Sequence, residues 1–81
     1  MKLPSLHTYK KARKRYGTIG SLYWLASKTS MDEATADTSI DRIASDLGCR
    51  RLEQMKSKHL YDLMDGLILA YQEWIETPQS V

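Results

Sequence analysis

The sequence predicts an all-α fold, a small helical bundle of three to five helices. Three observations predict it: apolar residues recur at spacings of three and four, hydroxyl or carboxylate residues stand where helices should begin, and glycine or proline stands where they should end. With 81 residues the chain makes one domain, residues 1–81, and buries a smaller fraction of its surface than a larger protein does.

From the N-terminus, Leu6, Tyr9, Ala12 and Tyr16 give one apolar face, and Ile19, Leu22, Tyr23, Leu25 and Ala26 give another after Gly17. This predicts two helices, or one helix kinked at Gly17, with residues 1–17 as a basic arm and residues 18–76 as a helical body. Ser30-Met31-Asp32-Glu33 fits a capping box and predicts a helix from Met31. Ile40, Ile43, Ala44 and Leu47 form its core face, Gly48 its left-handed C-terminal cap, and Thr35 to Ser39 leave room for a break near residues 35–38. Leu52 and Met55 read as a short apolar clip. Ser57 is the expected N-cap of the last helix, in which Leu60, Met64, Leu67, Tyr71 and Trp74 repeat at four and three, with Leu63, Ile68 and Ile75 widening the stripe. That helix should run to about Glu76, where Thr77-Pro78 stops it and leaves residues 77–81 as a frayed tail. Gly66 inside it suggests either a close backbone crossing or simple tolerance. The four-three stripe fits a coiled-coil seam for a homodimer, with Leu60, Met64, Leu67, Tyr71 and Trp74 at the contact, and fits an intramolecular bundle equally.

Charge is segregated along the chain. Residues 1–29 hold seven Lys or Arg and no acid, whereas residues 30–81 hold five basic residues against ten acidic ones, so a formal net charge of +2 conceals a +7 head and a −5 body. Asymmetry of this kind points to a polyanion-binding arm on a globular support. Lys10, Lys11, Arg13, Lys14 and Arg15 crowd six positions, with the pairs 10/14 and 11/15 stacked one turn apart as like charges. Phosphates relieve such repulsion, because each cation that meets a phosphate releases a condensed counterion. Tyr9 and Tyr16 flank the cluster, either as core packing or as platforms for an exposed base. No Arg/Asn/Gln set suited to reading base edges accompanies them, so weak sequence specificity is expected.

Other chemistry finds no support in the sequence. His7, His59 and Cys49 lack metal-ligand spacing, so no metal is expected, and Gly17-Thr-Ile-Gly20 lacks the strand and lysine of a nucleotide loop. Asp62, Asp65, Glu53, Glu73 and Glu76 read as solvated carboxylates, His59 as an exposed first-turn residue, and Trp24 and Trp74 as core anchors. An exposed Trp24 would instead suit a partner surface. No cofactor, small-molecule substrate or catalytic role is expected. The chain lacks an apolar run near the ~18 residues of a membrane span and the apolar stretch of a secretion signal, which predicts a cytoplasmic protein without membrane attachment. A single cysteine forms no internal disulfide.

Leu22-Tyr-Trp-Leu25-Ala26, Met31-Asp-Glu33, Ile40-x-x-Ile43, Leu52-x-x-Met55 and Leu60-x-x-Leu63-Met64-x-x-Leu67 together resemble a small helical module of bacteriophage proteins. It is the module of Mu-type GemA regulators, similar to one near the ends of some phage single-strand-annealing proteins. Residues 20–68 carry the resemblance, with Thr29-Ser30 in place of the usual Leu-Gly and Met55-Lys56-Ser57 in place of the Leu-Thr clip. The resemblance implies a phage or mobile-element origin and work alongside DNA, and it transfers no ligand residue. Two functional expectations follow. One is a nucleic-acid-binding accessory or regulatory protein that grips phosphates through its N-terminal helix; the other is a phage-encoded inhibitor or adaptor that docks on a host nucleic-acid enzyme.

Overall fold

A computed structural model describes residues 3–76, with side chains through residue 74. Four helices follow one another, α1 (Leu6–Lys28), α2 (Glu33–Leu47), α3 (Cys49–Gln54) and α4 (Ser57–Glu76), and no strand occurs among the described residues. The chain is an all-α bundle. The tail at 77–81 and its Thr77-Pro78 stop lie outside the described residues, and so does the side chain of Ile75.

Helix α1 begins at the N-cap Ser5, whose hydroxyl accepts the Thr8 N–H at 3.2 Å. It is broken at Gly17, which sits at φ 83° and ψ −178°, a region essentially closed to residues with a Cβ. In an unbroken helix Tyr9 and Ser21 would stand about 18 Å apart along the axis. Here the Ser21 hydroxyl donates to the Tyr9 phenol oxygen at 3.1 Å, so the two halves of α1 turn sharply back at Gly17. This is the kinked helix that the two apolar faces predict.

The α1–α2 link departs from the predicted capping box. Met31 N–H bonds to the Ala26 carbonyl and Ser30 N–H to that of Ser27, and Ser30 takes a positive φ of 62°, which together make the C-terminal lock known as a Schellman motif. Ser30 therefore ends α1. Asp32 caps α2 instead, its carboxylate accepting the Thr35 N–H at 2.7 Å, and the helix starts at Glu33, two residues later than the capping box implies. No break interrupts α2 at residues 35–38. Gly48 closes it with a positive φ of 77° at ψ 143°, outside the left-handed helical cap expected of it, and its carbonyl then opens α3, which turns the apolar clip at Leu52 and Met55 into a short helix.

The last helix has the predicted extent. Its first carbonyl acceptor is Lys56, which bonds to the Leu60 N–H, so Ser57 is the first helical residue rather than the N-cap, and its hydroxyl is engaged elsewhere. Leu60, Met64 and Ile68 of α4 are fully buried with Tyr9, Leu22, Leu25 and Leu52, and Ile40 and Ile43 of α2 close the other side. Long-range ties complete this packing. Tyr61 donates to the Pro4 carbonyl and Gln72 to that of Thr29, so α4 runs along α1 from its start to its end. No backbone approaches Gly66: a Cβ built there would meet nothing within 4 Å, so the crossing guessed from its glycine does not exist and the position is simple tolerance.

Gly66→Ala should therefore stabilise the protein by about 0.5–1 kcal/mol in chemical denaturation, the helix-propensity difference between the two residues. Gly17→Ala should destabilise it by about 1–3 kcal/mol, because alanine carries a strain penalty in the φ/ψ region that the reversal needs.

Candidate nucleic-acid interface

Residues 6–16 of α1 place their apolar positions inward and their cations outward. Tyr9 and Ala12 are buried, whereas Lys10, Lys11, Lys14 and Arg15 are exposed. Because 100° separates successive helical residues, the cations fall on two flanks. Lys10, Arg13 and Lys14 line a groove of about 310 Å³ with Ser57, and Lys11 and Arg15 line one of about 170 Å³ with Tyr16 and Trp24 on the other flank. Among the described residues no carboxylate pairs with any of the four exposed cations.

Arg13 differs from its neighbours. Half-buried, it donates to the Ser57 hydroxyl at 3.1 Å and to the Leu52 and Glu53 carbonyls at 3.4 and 3.5 Å. Those carbonyls end α3, where the aligned peptide dipoles leave partial negative charge that a cation complements. Its guanidinium thus lines the groove and clamps the α3–α4 junction with the same nitrogens that carry its charge. Thr18, the first residue past the kink, adds a second clamp by donating to the Glu53 carboxylate at 3.0 Å.

The aromatic candidates separate. Tyr9 is 0% exposed and tilted against Tyr61 with ring centroids 5.4 Å apart, so it is core and offers no face to a base. Tyr16 is 49% exposed, with the Arg15 guanidinium 5.5 Å from its ring centroid. Trp24 is half-buried against the core beneath Lys28. Trp74, expected as a core anchor, is 61% exposed and stacks on Tyr71 instead. Of the stripe proposed for self-association, Leu60 and Met64 are engaged wholly within the chain, Leu67 and Tyr71 are half-buried, and Trp74 alone is open.

The carboxylates do not all read as surface. Asp62 is exposed and pairs with Lys58, but Asp65 is half-buried, its Oδ1 without a hydrogen-bond partner, and burial followed by the nearby Asp62 charge pushes its carboxyl above the ordinary range. Asp32 joins helices: beyond capping α2 it accepts the Tyr71 hydroxyl at 2.6 Å, and that bond, with those from Thr35, holds its carboxyl low. The same bond raises the Tyr71 phenol. The neighbouring Asp37 carboxylate, followed by desolvation and the charges of Asp41 and Glu33, pushes the Tyr23 phenol up to about 12.

One cationic cluster was not singled out in the sequence. Arg50, Arg51, Lys56 and Lys58 fall on α3, the α3–α4 junction and the first turn of α4, Lys58 paired with Asp62, although the surrounding body is acidic overall. A third groove, of about 520 Å³, opens there between the end of α2 and the start of α4, lined by Leu47, Arg51, Gln54, Met55, Lys56 and His59. Their crowding into residues 50–58 was the available signal, masked by the net charge of the body. No group of three His, Cys, Asp or Glu side chains comes together as a metal site among the described residues, and no described helix is long and apolar enough to cross a membrane.

Fold and site together define a small helical bundle with a cationic face on a kinked N-terminal helix. Set against protein-family models, curated proteins and solved structures, the chain matches none of them.

Arg13→Ala should cost about 1–3 kcal/mol of stability, as for loss of charge-assisted hydrogen bonds, whereas alanine at Lys10, Lys11, Lys14 or Arg15 should stay within about 0.5 kcal/mol of wild type. Tyr71→Phe should separate in its pH dependence. The lowered Asp32 carboxyl contributes stability above the unfolded carboxylate pKa and loses it as pH falls, and the raised Tyr71 phenol contributes below the unfolded phenol pKa and loses it as pH rises. The difference between wild type and Tyr71→Phe in denaturant titrations should thus be greatest between about pH 4 and pH 10 and shrink at both ends.

Proposed function

We propose that the protein is a non-catalytic nucleic-acid-binding accessory or regulatory protein of the phage or mobile-element type, which holds phosphate backbone with residues 6–16 of α1. The observation that carries this reading is the set of four exposed cations, Lys10, Lys11, Lys14 and Arg15, which meet no carboxylate among the described residues and stand on a helical segment anchored by its own buried face. Such a segment meets a polyanion without first ordering, so little conformational entropy is lost on binding. Arg13 adds charge at the groove while its hydrogen bonds hold the helix in place. Tyr16 is the aromatic open to a base. Contacts of this kind fix position on a backbone and carry little sequence information.

A second reading, a phage-encoded inhibitor or adaptor that docks on a host nucleic-acid enzyme, is favoured by Leu63, Leu69 and Trp74, which stand exposed on α4. Under that reading Trp74→Ala abolishes activity in the cell and the cation variants do not.

Fluorescence anisotropy of the whole chain with labelled nucleic acid, repeated from low to high salt, tests the first reading. Log affinity should fall with log salt at a slope of about −3 or steeper, as four phosphate contacts require. Absence of binding at low salt overturns it.

A further inference from the structure

We propose that the α3–α4 junction is the second half of this interface: Arg51 and Lys56 hold phosphates, and the apolar floor of Leu47 and Met55 seats an unpaired base of a single-stranded nucleic acid. The inference rests on the nucleic-acid reading above and adds a site and a strand preference to it.

Continuity is the first argument. Lys56 lines the groove at the end of α2, and Ser57 lines the groove beside Lys10 and Lys14. These two residues are consecutive, with Cα atoms about 3.8 Å apart, so the two grooves meet at the backbone of the junction. Arg13 clamps the same junction from α1, bonding to Ser57 and to the last carbonyls of α3, which fixes the two grooves relative to one another. A strand crossing the junction therefore touches both without any rearrangement of the protein.

Charge is the second argument. Among the described residues neither groove is lined by a carboxylate, although ten acids occur in residues 30–81. Glu53, the nearest acid in sequence to the junction, accepts the Thr18 hydroxyl. A cationic rim of this kind focuses a field that attracts polyanions.

The apolar floor decides between polyanions. Leu47 and Met55 are half-buried against the core and form the base of a groove of about 520 Å³, within the range of roughly 300–1,000 Å³ usual for small-molecule sites. A duplex presents phosphates and hides the faces of its bases, so it has nothing to place on such a floor. An unstacked base carries an apolar face between two phosphates, and methionine and leucine accept it without hydrogen-bond selection.

The test compares wild type with Arg51→Ala/Lys56→Ala, both side chains being exposed, after circular dichroism has established equal folding. Affinities are measured by anisotropy against labelled single-stranded DNA, single-stranded RNA, duplex DNA and an abasic single strand of equal length, with polyglutamate as competitor. Wild type should bind both single strands more tightly than duplex and the abasic strand more weakly. The double variant should lose about tenfold in affinity at low salt and flatten the log–log salt slope by about 1.4, the value for two single-strand phosphate contacts. An unchanged slope in the double variant overturns the proposal, as do equal binding of the abasic strand, a preference for duplex, or competition by polyglutamate as strong as by the oligonucleotide. The first three of those results leave phosphate binding by α1 standing; equal competition by polyglutamate, or failure of wild type to bind any nucleic acid, removes the underlying reading as well.

Discussion

Everything in this molecule depends on the reversal at Gly17. A positive φ with an extended ψ turns what would be a single rod into two antagonistic faces: one half of α1 supplies Leu22, Leu25 and Ala26 to the core, and the other is folded back so that Tyr9 enters the same core. The Tyr9–Ser21 hydrogen bond closes this loop from inside, and the Thr18–Glu53 bond fixes it from outside. Without the reversal, the charged half would project away from the body as an isolated helix of about three turns, too short to persist in water and burdened with like charges. Anchored by the core, it holds that charge density in place.

The structure also resolves a tension in the charge pattern. Concentrating cations destabilises a small fold, and one of the five, Arg13, offsets this by meeting the carbonyl end of α3. The arm is thus tied to the body by a member of its own charged set. The negative end of a short helix serves as counter-charge, leaving the carboxylates of the body to other work: Asp32 links the start of α2 to the end of α4 through Tyr71, and Glu53 steadies the kink through Thr18.

Most of the fold was legible from periodicity. The class, the break at Gly17, the span of α4 and the burial of Tyr9, Leu22, Leu25, Ile40, Ile43, Leu60, Met64 and Ile68 follow the predicted pattern, whereas Tyr16, Ile19, Tyr23 and Leu63 of the same stripes stay exposed because no described element covers them. Helix boundaries were read less well because local signals compete. Ser30 looks like a hydroxyl cap, yet it takes the left-handed position that ends α1, and the capping role falls to Asp32, whose carboxylate also meets Tyr71. Gly66 and Trp74 misled for a related reason: a glycine and a tryptophan are informative about packing only where another element lies opposite, and along their face of α4 no described element does. In the site, the exposed cations of α1 could be read from their clustering. The split role of Arg13 could not, since it requires knowing that residues 52–57 come to rest 39–44 positions away in sequence. Likewise the Arg51–Lys56 groove exists only because α3 turns the chain between two longer helices.

The pairing of α1 with α4 has a consequence for how the chain acquires its structure. The partners of the N-terminal helix, Tyr61 for Pro4 and Tyr9, Gln72 for Thr29, lie in the final quarter of the sequence. While the chain emerges from a ribosome, α1 and α2 can form their local turns and the Schellman lock, but Tyr9, Leu22 and Leu25 stay uncovered until Leu60, Met64 and Ile68 arrive. The basic segment precedes α4 in synthesis and is braced against it. For that interval it is a cationic segment without its covering residues, and arrival of the last helix fixes it against the core.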